Sequence, residues 1–439
     1  MAGKPAGRKI ESEIGIGTLL GPASVYMLAN VLRAVVPFAL LPILTRYLTP
    51  EEYGFVAMFQ VLVGFIGPLV GLNVHGAVQR RYYDRDGTDL PAYIGSSLAI
   101  LFGSASAVAA ALLVVGPWIG NLASLPTAWI WGVLVTALFQ FLVQIRLVMW
   151  QSQVRPWLYG TFQVLLTVFD LAVSLWLVVR LGWGWEGRVT GMIVTYGVFG
   201  SLGLGMLAWD GWIKWRPRRD YMRNALQFGV PLVPHMFAAF ALTATDQLFI
   251  TNMLGVDDTG IYLVASQAAG AIGLMAVSAN KAWTPWIFER LGRTEESLGS
   301  VVRVMCMAFF VIAAGVLILS VAAPLLLSVY VGKSFQSASQ YISLLAIGQG
   351  FQAAYLVIVG VLFYAERTKV LASVTLATAA LNAALNYPLI LAFGMAGASL
   401  ATALSFAVKF TAVLFAVRTL YPLPWLQVMR LEIGRWRKT

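Results

Sequence analysis

The chain has 439 residues, of which 59% are hydrophobic and only 11% charged, and its formal net charge is +11. A soluble domain carries about 25% charged residues, so this composition excludes one, and long continuous apolar runs exclude a transmembrane β-barrel. The basic balance fits loops that touch anionic lipid heads rather than nucleic acid, because no basic soluble module is present.

Residues 1–15 are polar and basic, with Lys4, Arg8 and Lys9, and read as a cytoplasmic tail. About twelve spans follow, which makes the chain an all-α integral membrane protein. Six lie near 19–45, 54–77, 92–116, 127–150, 158–180 and 189–209, in a first lobe over 16–210. Six more lie near 225–250, 260–282, 301–329, 339–364, 369–393 and 396–418, in a second lobe over 225–418. A basic linker at 211–224 separates the lobes, and a basic amphipathic tail at 419–439 carries Trp425, Arg430, Arg435, Trp436, Arg437 and Lys438.

Charge sets the expected orientation. One side receives Arg80, Arg81, Arg85, Arg155, the Lys214–Arg223 cluster, Arg290, Arg293, Arg367 and Lys369 along with both tails. The other receives only Arg46, Arg180, Arg188 and Lys333. The basic side is therefore read as cytoplasmic, with both termini inside.

The stretch Pro42–Gly54 joins the first two spans. Thr49 suits an N-cap, Pro50 the first helical position, and Glu51 and Glu52 the first turn. A weaker copy recurs in the second half. Leu48-Thr49-Pro50-Glu51-Glu52-Tyr53-Gly54 aligns with Leu254-Gly255-Val256-Asp257-Asp258-Thr259-Gly260. Both copies fall on the outer side, which predicts two parallel six-helix lobes related by an axis along the membrane normal.

Charges inside spans cost roughly 2.5–3.5 kcal/mol each on insertion scales, so they need a reason. They are Arg33, Arg146, Asp170, Asp246 and Lys409, with Lys281 near a span end. Polar neighbours share their faces: Tyr26 and Asn30 with Arg33, Gln163, Thr167 and Ser174 with Asp170, and Thr402 and Ser405 with Lys409. His235 and Thr243 accompany Asp246; Gln349, Gln352 and Tyr355 form another stripe, and Thr375, Thr378, Asn382 and Asn386 another. A shared water-filled cavity satisfies such stripes together. Arg33, Arg146, Lys409 and Lys281 make that interior cationic, which suits an anionic substrate such as a diphosphate-linked lipid. Asp170 and Asp246 are open to two roles, holding a coupling cation or pairing with an Arg.

Catalytic signatures are lacking, so the chain is not expected to be an enzyme. Gly332-Lys333-Ser334 ends like a phosphate loop, but Leu327 stands where its first Gly is required. Two histidines, His75 and His235, cannot make a metal cluster alone, and the single Cys306 permits no internal disulfide. No cofactor is expected beyond coupling to a sodium or proton gradient.

The run Leu41–Gly54 resembles the first-loop signature of Wzx-type O-antigen and polysaccharide flippases, the polysaccharide-exporter branch of the multidrug/oligosaccharidyl-lipid/polysaccharide superfamily. Gly71–Val78, Ala282–Trp286 and the region from Pro231 to Gly260 look like further segments of that family. The resemblance implies a two-lobe bundle in the bacterial inner membrane. It would move an undecaprenyl-diphosphate-linked oligosaccharide from the inner to the outer leaflet for lipopolysaccharide, capsule or exopolysaccharide synthesis. By that analogy Arg33, Asn30, Arg146, Lys281 and Lys409 meet the diphosphate and glycan in a central cavity, and Arg80 and Arg81 guard its cytoplasmic entry. Membrane lipids and other polysaccharide-assembly membrane proteins are the expected partners. The competing readings are a multidrug/cation antiporter of the same superfamily, which calls for an acidic cavity, and a membrane glycan polymerase or ligase, which calls for a catalytic loop.

Overall fold

The computed structural model describes residues 40–83, 88–291 and 295–421, together with 38, 423 and 424. The described chain is mainly helical, with no strand among the described residues. After the end of a helix over 40–47, the helices are α1 (Pro50–Ile66), α2 (Val74–Tyr83), α3 (Leu90–Leu122), α4 (Thr127–Ser152), α5 (Pro156–Leu175) and α6 (Gly184–Trp209). They continue as α7 (Arg219–Gly229), α8 (Val233–Met253), α9 (Val256–Leu291), α10 (Glu295–Tyr330), α11 (Ser339–Tyr364), α12 (Thr368–Phe393) and α13 (Met395–Leu420).

Eleven stretches among the described residues are long and apolar enough to cross a membrane. The predicted first span, near 19–45, falls mainly outside the described residues, so roughly twelve spans agrees with the observed bundle. Lipid-facing surfaces stay apolar, as on α10, where Phe310, Val311, Leu317 and Ile318 are exposed.

Helix starts follow local chemistry. Thr49 caps α1 in a reciprocal box: the Glu52 N–H donates to Thr49 Oγ1 (3.2 Å), and the Thr49 N–H donates to Glu52 Oε2 (2.9 Å). Glu52 also accepts the Trp185 N–H through Oε1 (3.3 Å), which fastens the start of α1 to that of α6.

Within the N-terminal half, α4 packs on α6, α3, α2 and α1; within the C-terminal half, α11 packs on α13, α9 and α10, and α8 on α12. The halves meet where α1 crosses α9. Gly54 lies against the Val256 carbonyl, and Gly260 against the Pro50 carbonyl, closer than any side chain would allow. These are the equivalent glycines of the two sequence copies, so the repeated motif builds the crossing itself. Any Cβ at Gly260 would push the helices apart. Gly260→Val is therefore expected to cost on the order of 1–3 kcal/mol, the range for overpacking. Thermal unfolding in detergent checks it, with Gly67→Ala as a control because a Cβ there meets only open space.

At the opposite end α7 rests on α2 and α3. Asn224 Oδ1 accepts from Arg81 Nε (3.1 Å) and Tyr93 Oη (3.0 Å). The Lys214 ammonium pairs with Asp89 (3.0 Å), and this hydrogen bond holds the Asp89 carboxyl below the usual carboxylate range.

Candidate functional site

The C-terminal half holds a fully interior polar cluster. Asp246 on α8 is 3% exposed. Its carboxylate accepts from Tyr262 Oη on α9 (2.7 Å), from Asn386 Nδ2 on α12 (2.8 Å) and from the Thr402 hydroxyl on α13. Asn386 Nδ2 also donates to the Asn382 carbonyl (3.0 Å) one turn earlier. Among the described residues no Lys or Arg forms an ion pair with Asp246. The Asn386 Oδ1 and Ser405 Oγ atoms are buried without a hydrogen-bond partner. Burying a carboxylate this far is costly unless it is hydrogen-bonded, and the three donors offset that cost. The surrounding oxygens of Asn386 and Thr402 suit a hard monovalent cation as well as a proton. Three of the sequence stripes, on α8, α12 and α13, thus converge on one carboxylate.

Lys409 lies seven residues beyond Thr402 on α13, about 10 Å along the same face. It is 6% exposed. Its ammonium donates to Gln352 Oε1 on α11 (3.2 Å) and sits 4.1 Å from the centre of the Tyr355 ring. No carboxylate among the described residues pairs with it. An amide and an aromatic face steady the cation without neutralising it.

The N-terminal half contains a cavity of about 350 Å³ bordered by Gln60, Thr136, Gln140, Thr167, Asp170 and Arg188. The two charges are joined: Arg188 Nη1 donates to Asp170 Oδ1 (2.9 Å) and to Ser174 Oγ (2.6 Å). Gly191 permits this by letting α6 ride directly on Ser174 of α5. Of the two roles open to Asp170, the ion pair is the one formed. Charge alone puts Arg188 in an outer loop; it lies instead one turn inside α6, drawn in by Asp170. Removing one partner of a buried pair strands the other, at a cost of about 3 kcal/mol, the lower end of the usual range because Asp170 borders the cavity. Arg188→Met should therefore lower thermal stability more than the double change Asp170→Asn with Arg188→Met, read by unfolding in detergent.

Other predicted site residues scatter. Arg146 is 3% exposed, but it lines neither this cavity nor the adjoining one. Its guanidinium is taken up by Asp210 at the end of α6 (2.6 Å) and lies over the Trp150 ring (4.1 Å). The carboxylate comes from the end of α6 and the indole from α4 itself, while Nε and Nη1 of Arg146 are buried without a hydrogen-bond partner. Lys281 is exposed on α9, and Arg80 is exposed at the end of α2. Arg81 is engaged with Asn224 at the α7 contact. Arg33 and Asn30 lie outside the described residues. Sequence reasoning passed over Gln140 and Gln144, although two amides four residues apart in an apolar span were a usable signal.

Comparison with known proteins agrees with this architecture. The family model described as polysaccharide biosynthesis protein matches residues 19–290. The Lsg locus protein 1 of Haemophilus influenzae is 23% identical over 357 residues, covering 79% of this chain and 85% of its own. A solved structure of the lipid II flippase MurJ, in an inward closed conformation, superposes with a TM-score of 0.72 at 15% identity, over 91% of this chain and 87% of that one. An inward-facing multidrug resistance MATE transporter of the MOP superfamily gives 0.67 at 14% identity, over 98% and 97%. The chain has the fold shared by those flippases and transporters, and by its match over residues 19–290 it belongs to the polysaccharide biosynthesis protein family.

Proposed function

We propose that the protein flips an undecaprenyl-diphosphate-linked oligosaccharide from the inner to the outer leaflet of the bacterial cytoplasmic membrane, by alternating access between its two halves. The observation that carries this reading is Lys409, a buried cation with no carboxylate partner among the described residues, in a polysaccharide biosynthesis protein with a flippase-like fold. A cationic drug would be repelled there, whereas a diphosphate gains charge-assisted hydrogen bonds in a low-dielectric setting.

The physical task is to carry a hydrated head group past hydrocarbon while the lipid tail stays outside. Two packed halves rocking about a fixed site accomplish it. The glycine crossing of α1 and α9 would close the outer side in one state, and the α7 contact would close the inner side in the other. Asp246 would hold the coupling ion, sodium or a proton, with Asn386 and Thr402. Because Thr402 and Lys409 share one face of α13, filling the cation site bears on the helix that presents the anion-binding Lys.

The test is complementation. In cells deleted for this gene, the lipid-linked glycan should accumulate inside and surface polysaccharide should be lost, and the wild-type chain should restore both. Restored polysaccharide with Lys409→Met at wild-type rates would sink the reading.

A further inference from the structure

The helix of the second span, Pro50–Leu69, does not run straight on into the next. It runs as α1 to Ile66, tightens into a 3₁₀ turn over Gly67–Leu69, and restarts as α2 at Val74. Between them Gly71, Leu72 and Asn73 all have left-handed backbones, with φ of 81°, 47° and 56°. Side-chain-bearing residues seldom adopt that conformation, so three in succession mean a break that the surroundings enforce. The enforcement is visible. The Gly71 N–H donates to Ser104 Oγ (2.8 Å), the Phe141 ring occupies the space of a Gly71 side chain, and the Leu72 carbonyl lies against Gly229. The break follows directly on the last residues of that span, where irregular backbone is sustained by lining a cavity or by burial in protein.

It does line one. A cavity of about 250 Å³ is bordered by Asn73, His75, Gln140, Gln144, Gln163 and Tyr196. It shares Gln140 and Tyr196 with the 350 Å³ cavity that ends at the Asp170–Arg188 pair. Among the described residues no Lys, Arg, Asp or Glu borders it. Its polar edge is amide, imidazole and phenol, and its apolar edge includes the rings of Phe141 and Phe240. Two buried atoms there have no hydrogen-bond partner, Gln163 Oε1, on a residue only 2% exposed, and His75 Nδ1. Buried polar atoms ordinarily have partners, so a ligand that donates and accepts hydrogen bonds fits this edge.

We infer that this cavity is a subsite for a neutral sugar of the transported glycan. Amides donate and accept at once, as vicinal hydroxyls require, and aromatic faces suit the apolar side of a pyranose ring. Among the described residues no cation borders this cavity to meet a diphosphate, whereas Lys409, buried and without an ion pair among them, lies in the other half. The two halves thus divide the head group, with the charged group held by Lys409 and the uncharged sugar by Gln144, Gln163 and His75. This inference rests on the flippase reading and adds to it the residues that recognise the glycan.

The test uses the full chain in lipid nanodiscs and two probes: undecaprenyl diphosphate without sugar, and the lipid-linked glycan extracted from cells deleted for this gene. Affinities are read by native mass spectrometry. The wild-type chain should prefer the glycan-bearing lipid by about tenfold or more, and Gln163→Leu and Gln144→Leu should each bring that ratio to within about threefold of one. Gln144 is only partly buried, so its variant keeps the test alive if the Gln163 variant fails to fold. A folded variant with the wild-type ratio, or a wild-type chain that binds both lipids equally, overturns the sugar subsite and leaves the flippase reading standing. A wild-type chain that binds neither lipid overturns both.

Discussion

Lys409→Met should slow transport of the lipid-linked glycan by about 10- to 150-fold, the equivalent of the roughly 1.5–3 kcal/mol carried by a hydrogen bond to a charged group. Methionine keeps most of the apolar stem against Tyr355 and Phe406, so the change removes charge rather than packing. Lys409 is buried and makes no ion pair among the described residues, so its loss strands no carboxylate. Stability should hold or rise slightly as a desolvated cation disappears. Transport measured as initial rate, alongside thermal unfolding, separates the two effects. Lys409→Arg should retain part of the rate, because the positive charge remains while the fork is bulkier. Unchanged transport in the Met variant would remove the cationic site from the mechanism.

Asp246→Asn should abolish the response of transport to an imposed ion gradient while leaving the bundle folded. The amide has the shape of the carboxylate but cannot take up a proton, and it binds a small cation far less well. It still offers one oxygen to Tyr262 and Thr402. Asp246→Ala is expected to be worse for folding, since the Tyr262, Asn386 and Thr402 donors would all lose their acceptor at about 1–3 kcal/mol for each group left unsatisfied. The measurement compares transport with and without a sodium gradient, then with and without a proton gradient. Whichever gradient drives the wild-type chain should have no effect on the Asn variant. An Asn variant driven as strongly as wild type would assign coupling elsewhere.

The parts of the fold legible in the sequence were those decided locally. Thr49-Pro50-Glu51-Glu52 announces a helix start because the capping box closes within four residues. The spans were legible because a bilayer imposes their length and apolar character. The polar stripes carrying Asp246, Asn382, Asn386 and Thr402 could be read as stripes from helical spacing alone, but their convergence on one carboxylate depends on how α8, α12 and α13 pack. The same limit applies to the ion pairs. Arg146 and Asp210 are 64 residues apart, and nothing near Arg146 announces a partner at the end of another helix. Arg188 looked like a loop residue because its reason for being buried, Asp170, belongs to α5. The repeat at Leu48–Gly54 and Leu254–Gly260 was visible as a string, but the use of its two glycines, to let the halves touch backbone to backbone, emerges only in three dimensions.

We propose above all that this protein carries a diphosphate-linked glycan across a bilayer. The most direct measurement places the purified chain in liposomes whose lipid-linked glycan starts in one leaflet, and follows its accessibility to a membrane-impermeant glycan-cleaving enzyme over time. The glycan should cross in liposomes holding the wild-type chain, and cross markedly more slowly with Lys409→Met. Crossing no faster than in protein-free liposomes, with folded wild-type protein and the ion gradient supplied, would contradict the account.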